Sequence, residues 1–299
     1  MIRIGRQFAV FLALIAASLL VGWRSLYETI ALACQSDAYT HILLILPLSL
    51  FMILAERQLL RGANSWSLRG GSVLIFPAIA IACSAGIWSA SLTADMLLAA
   101  RMFALVFSWI GCFILCFGLQ PARKLVFPLL FLFGLVPLPR IAVESVIALL
   151  QIGSAWSAHA FFGAFGVPVL QQGVVLTIPG LIVQVAQECS SIRSSSMLIV
   201  TTLVMAQVLL LSFWRKALVV CLAVPLSVLK NGLRIFVIAM LGTRLDPAYL
   251  HGWLHHQGGV IFFGIALGGM FVLLWLFRRR EHSRPPARPR PLNAVTTGD

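Results

Sequence analysis

Residues 217–241 read ALVVCLAVPLSVLKNGLRIFVIAML, and this run decides the class of the fold. As a helix it is about 38 Å long, enough to cross the roughly 30 Å hydrocarbon core of a bilayer. Working outward, similar apolar runs separated by charge or by Pro/Gly clusters occur near 8–22, 42–55, 73–90, 96–118, 125–138, 194–213 and 256–277. The chain of 299 residues is 60% hydrophobic and 10% charged, with a mean hydropathy of +0.98. Soluble domains carry about 25% charged residues. The sequence therefore predicts an all-α integral membrane protein of about eight transmembrane helices, with no room for a second soluble domain.

The formal net charge of +13 suggests a nucleic-acid partner only until the basic residues are placed. Most lie in short stretches between apolar runs, as the positive-inside rule requires, so the expected partner is the lipid bilayer and no nucleic acid is implied. With a cytoplasmic N-terminus, 15 of the 22 Lys and Arg fall in 1–7, 56–72, 119–124, 214–216 and the tail. The opposite orientation leaves seven there. Both termini are therefore expected in the cytoplasm. The first run, behind Arg3 and Arg6, lacks a small-x-small cleavage site and reads as a span rather than a signal peptide.

The interval 139–192 is too long and too patterned for a loose connection. From Ile141 to Phe165 apolar residues recur at helical spacing, interrupted by Glu144, Gln151, Ser154 and His159, which suggests a helix along the membrane surface. From Val174 to Val185, β-branched residues flank Pro179-Gly180, the pattern of a short hairpin. Together these make an external cap on one polytopic domain, 1–280. Residues 281–299, alternating Arg and Pro, read as a disordered cytoplasmic tail.

Polar groups at membrane depth are functional candidates. Cys189 lies in Gln187-Glu188-Cys189-Ser190-Ser191-Ile192-Arg193 before the sixth run, Arg234 and Asn231 lie in the seventh, and His255 and His256 open the eighth. The orientation drawn from charge alone brings the thiol, guanidinium and imidazole to the external face. Such a set has a chemical logic: histidine takes the thiol proton, the thiolate attacks a peptide carbonyl, and arginine stabilises the oxyanion or aligns the substrate. Read without that logic, Cys189 is a packing residue or a disulfide partner of Cys34, and Arg234 pairs with Glu188 or lines a permeation path. His41 then stabilises the outer end of the second span. Cys83, Cys112, Cys116 and Cys221 lie within apolar runs and read as small hydrophobes. No metal ligand set or cofactor motif is evident.

Five blocks occur in order across 36–263: Ser36-Asp37-Ala38-Tyr39-Thr40-His41; Phe127-Pro128-Leu129-Leu130-Phe131-Leu132-Phe133, closing on Pro137-Leu138-Pro139; Glu188-Cys189-Ser190; Asn231-x-x-Arg234; and His255-x-x-x-Gly259-x-x-x-Phe263. Together they resemble the exosortase/archaeosortase family. The resemblance implies a transmembrane cysteine protease or transpeptidase acting on membrane-anchored proteins that end in a sorting signal: a Pro-Glu-Pro-like motif, an apolar helix and a basic cluster. It places the catalytic cysteine, arginine and histidine on Cys189, Arg234 and His255, with Asn231, Glu188, His41 and the alternative base His256 as supporting candidates. It also makes a role for His41 near the active site conceivable. The setting expected is a bacterial inner membrane, and the link is to surface anchoring or extracellular polysaccharide. Two departures stand out: Ser191 where the family usually has glycine, and the doubled histidine.

His255, Gly259 and Phe263 share a helical face, with His256 turned by about 100°. On this reading Gly259 admits a neighbouring backbone and brings His255 toward Cys189 and Arg234. A small-molecule transporter and a non-catalytic scaffold for polysaccharide export are the competing classes. The first lacks an inverted repeat or a matched pair of broken spans, and the second gives no reason for clustered polar residues.

Overall fold

Apolar runs become helices because a backbone in lipid must satisfy its own hydrogen bonds. The computed structural model describes residues 2–61, 66–185, 192–248 and 253–282; side chains at 2–4, 61, 253–258 and 282 lie outside the description. In chain order the helices are α1 (Ile2–Gln35), α2 (Ile42–Ala55), α3 (Arg57–Arg61), α4 (Leu68–Ile87), α5 (Ala94–Phe117), α6 (Leu119–Lys124), α7 (Val126–Phe131) and α8 (Arg140–Ala164). Three strands follow, β1 (Leu170–Gln172), β2 (Val175–Ile178) and β3 (Leu181–Gln184). The chain closes with α9 (Ile192–Leu209), α10 (Phe213–Arg244) and α11 (Trp253–His282). The protein is an all-α integral membrane protein with one small sheet.

Among the described residues, seven helices are long and apolar enough to cross a membrane, and six of them coincide with expected spans. The other two expected spans, 42–55 and 125–138, are shorter. α2 has 14 residues, about 21 Å of helix, and α7 runs into a 3-10 turn at Leu132–Leu135. They pack on each other: a Cβ placed on Gly134 would lie 2.7 Å from Ile45 Cδ1.

The seventh span-length helix is α8, expected along the surface. Its contacts explain both readings. The bundle has two ends. At one, Arg193 pairs with Asp37 at 3.3 Å, the Arg140 amide donates to Asp95 at 2.7 Å and the Tyr39 hydroxyl donates to the Leu138 carbonyl at 2.8 Å. At the other, Glu281 accepts from the Leu211 and Ser212 amides and pairs with Arg215 at 3.5 Å.

α8 starts at the Asp37 end and follows α10 onward: Gly153 faces Val228, Ser154 bonds Asn231, and Phe162 stacks edge-on against Phe236. It therefore does not return to the Glu281 end. Two of its four polar interruptions face protein: Ser154 is buried, and Gln151 donates to the Val185 carbonyl at 3.0 Å. Glu144 and His159 are exposed.

The expected hairpin is β2–β3, joined by Pro179-Gly180 with Gly180 at φ +81°, a value that favours glycine. β1 adds a third antiparallel strand, in register Leu170 opposite Thr177. The sheet and α8 close over the far half of α10 in a core of their own, with Phe162, Leu176, Ile178, Val185 and Phe236. A larger core joins α1, α2, α5 and α7, and a third joins α9, α10 and α11 through Ala206, Leu210, Met270 and Leu274.

Candidate active site

α10 presents Ser227, Lys230, Asn231 and Arg234 at helical spacing, hence on one side. Each of the first three meets a hydroxyl of a neighbouring helix. Ser227 donates to Ser195 at 2.5 Å, Lys230 donates to Ser194, and Asn231 donates to Ser154 at 2.9 Å. Lys230 is 6% exposed and Asn231 1%. A polar group buried without a partner costs about 1–3 kcal/mol, so these bonds fix how α8 and the first turn of α9 sit on α10. Gly232 makes the approach possible. A Cβ there would lie 2.5 Å from Ser157 Cβ and 2.8 Å from the Ala158 amide nitrogen.

Arg234, half-buried, lies one turn beyond Lys230 on the same face. The seam thus sets the position of the arginine's helix against the start of α9. Asn231 was expected as a partner of Arg234's face, and it is the residue that clamps α8.

His41 precedes α2 at the Asp37 end, in the same turn as Asp37 and Tyr39. Its Nδ1 is buried and has no hydrogen-bond partner among the described residues. Burial holds the imidazole below the usual histidine pKa, with a contact to the Ala38 backbone acting the other way, so the neutral ring prevails at neutral pH.

Glu188 and Cys189 lie outside the described residues. Ile192, three residues after Cys189, opens α9, and Arg193 and Ser194 are held by Asp37 and Lys230. His255 and His256 fall in the first turn of α11, where the backbone alone is described. The close approach expected at Gly259 is not found: a Cβ there meets nothing within 4 Å among the described residues. Cys34, the alternative disulfide partner of Cys189, is a free, exposed thiol.

Sequence reasoning passed over Lys230 and the serines of the seam. A lysine inside an apolar run, four residues before an arginine, was the available signal; Ser154 showed only as an interruption of an apolar pattern, and Ser194, Ser195 and Ser227 gave none, because serine is common in helices of every environment.

A scan of family models matches residues 23–272 to the transmembrane exosortase family. The chain belongs to this family. The match spans α1 to α11 and takes in the seam, His41, Arg234 and both histidines of α11. No curated protein and no solved structure matches the chain. Exosortase membership gives this multi-pass membrane protein a transmembrane protease or transpeptidase role on protein substrates.

Proposed function

We propose that this exosortase cleaves a C-terminal sorting signal, made of a short motif, a transmembrane helix and a basic cluster, from exported proteins at the external face of the bacterial cytoplasmic membrane. The outcome is surface anchoring, in a system linked to extracellular polysaccharide. The family match over 23–272, which contains every residue assigned below, carries the reading.

In the proposed reaction His255 takes the Cys189 proton and the thiolate attacks the peptide carbonyl. Arg234 holds the oxyanion. Collapse breaks the C–N bond, and the departing amine takes the proton back from the imidazole. The thioester left on Cys189 is resolved by water or by an amine acceptor. Glu188 and Asn231 orient the arginine, and His256 is the alternative base. Support comes from the seam: Ser194, five residues after Cys189 in sequence, is bonded to Lys230, one turn before Arg234.

The direct test co-expresses the enzyme with a tagged protein from the same genome that ends in a short motif, one apolar span and several arginines. Wild type converts it to a shorter form. An unchanged substrate size overturns the reading.

Two further outcomes follow from the assigned roles. Reporters fused after Lys124 and Lys216 read cytoplasmic, while reporters within 139–192 read external; a cytoplasmic insert puts Cys189 on the wrong face. His255→Ala lowers processing about 100-fold or more, as expected for loss of a general base, and His256→Ala much less. With both variants normalised to membrane protein level, a dead His256→Ala moves the base by one position.

A further inference from the structure

A cavity of about 360 Å³ opens at the Asp37 end between the turn before α2, the first half of α8, the first two turns of α9 and the middle of α10. Ligand pockets usually measure about 300–1,000 Å³ and are mostly apolar, with a few placed polar groups. This one fits that description. Val146, Leu149 and Leu150 of α8 and Ile199 of α9 supply apolar wall, and the polar lining includes His41, Ser195, Ser196 and Ser227.

The hydrogen bonds already made leave a defined remainder. Ser227 donates to Ser195, so the Ser195 hydroxyl hydrogen is available to an acceptor. Ser196 donates to the Arg193 carbonyl at 3.0 Å and keeps its lone pairs. His41 Nδ1 is buried with no partner among the described residues. A ligand that fills the cavity well must be apolar in bulk and carry both a hydrogen-bond acceptor and a donor near this wall.

We infer that the cavity binds a short extended stretch of the substrate polypeptide beside the cleaved bond, with apolar side chains against α8 and backbone groups on Ser195, Ser196 and His41. This rests on the proposed function and names the residues that set its specificity. Extended backbone supplies a carbonyl and an N–H at every non-proline residue. A hydrocarbon tail would leave His41 Nδ1 and the Ser195 hydroxyl hydrogen without partners, which disfavours it. The cavity wall also includes Ile192, three residues from Cys189 in sequence.

The test places a photo-crosslinking phenylalanine analogue at Leu149, or at Leu20 of α1, exposed and outside the cavity lining, as control, in the full-length Cys189→Ala protein, co-expressed with the tagged substrate in membranes. The substrate is captured from Leu149 and not from Leu20. In parallel, Ser196→Phe in the otherwise native enzyme lowers processing of a substrate bearing a large apolar residue at the cleavage site about tenfold or more, and shortening that residue to alanine restores it. Crosslinks from Leu149 to lipid or to a second copy alone overturn the inference, as does a Ser196→Phe enzyme that treats both substrates alike. Capture from Leu149 with no processing by wild type keeps the binding site and removes the protease reading. Processing by wild type without capture does the reverse.

Discussion

Cys189→Ala abolishes processing, lowering it by at least about 1,000-fold, as expected when a covalent nucleophile is removed. The variant accumulates in the membrane at wild-type level. Loss of a single thiol next to the start of a helix is expected to change stability by no more than about 0.5 kcal/mol. The seam that positions Arg234 is made by α8, α9 and α10 through Ser154, Ser194, Ser195, Ser227, Lys230 and Asn231, none of which is altered. The measurement is the size of the tagged substrate, with enzyme level read on the same membranes. Processing that persists removes Cys189 from the mechanism. A thermal melt of the purified variant separates a lost nucleophile from a lost fold.

The second large effect is structural. Gly232→Leu lowers the melting temperature of the detergent-solubilised protein and, through the shift of α8, reduces processing as well. A side chain there meets Ser157 Cβ at 2.5 Å and the Ala158 amide nitrogen at 2.8 Å. The serine hydroxyl can rotate, but helix backbone cannot, so α8 must move off α10. Overpacking of this kind costs about 1–3 kcal/mol, and the same movement stretches the Asn231–Ser154 bond. Gly163→Ala on α8 is the matched control, because a Cβ at Gly163 meets nothing within 4 Å among the described residues. It should be neutral, or stabilising by the roughly 0.5–1 kcal/mol that separates alanine from glycine in a helix. An unchanged melt for Gly232→Leu would show that the contact between α8 and α10 is soft.

Hydropathy revealed the long helices because a span must be both apolar and about 20 residues long. It gave α2 its bounds, 42–55, but those 14 residues are short for a span, and 125–138 is divided, with α7 giving way to a 3-10 turn. For α8 it gave the helix but not the partners of its polar residues. Gln151 and Ser154 mark a helix that faces other protein, which no periodicity separates from one that faces water. β1 has three residues, too few for an alternation to register.

At the candidate site, Arg234 and Asn231 stood out as costly groups in an apolar run, and α10 carries both on its seam face. The cavity lined by Ser227, one turn before Asn231 on α10, was invisible in sequence. It is formed by four separate segments: the turn before α2 and the start of α8 contribute mostly apolar residues, and α9 and α10 contribute apolar residues with serines.

α10 is one unbroken helix of 32 residues, about 48 Å long, against a hydrocarbon core of about 30 Å. Its near half packs with α9 and α11 through Val219 and Ala223, and its far half packs with α8 and the sheet through Ile235, Phe236 and Ala239. Pro225 lies inside it and removes one backbone hydrogen bond, but Ser227, Lys230 and Asn231 just beyond are bonded to α9 and α8, so the two halves stay coupled. The sheet-bearing layer and the bundle therefore lose their structure together, in a single cooperative melting step. A load pulled through the sheet-bearing layer, such as a polypeptide being drawn toward the surface, would be carried into the membrane through this helix.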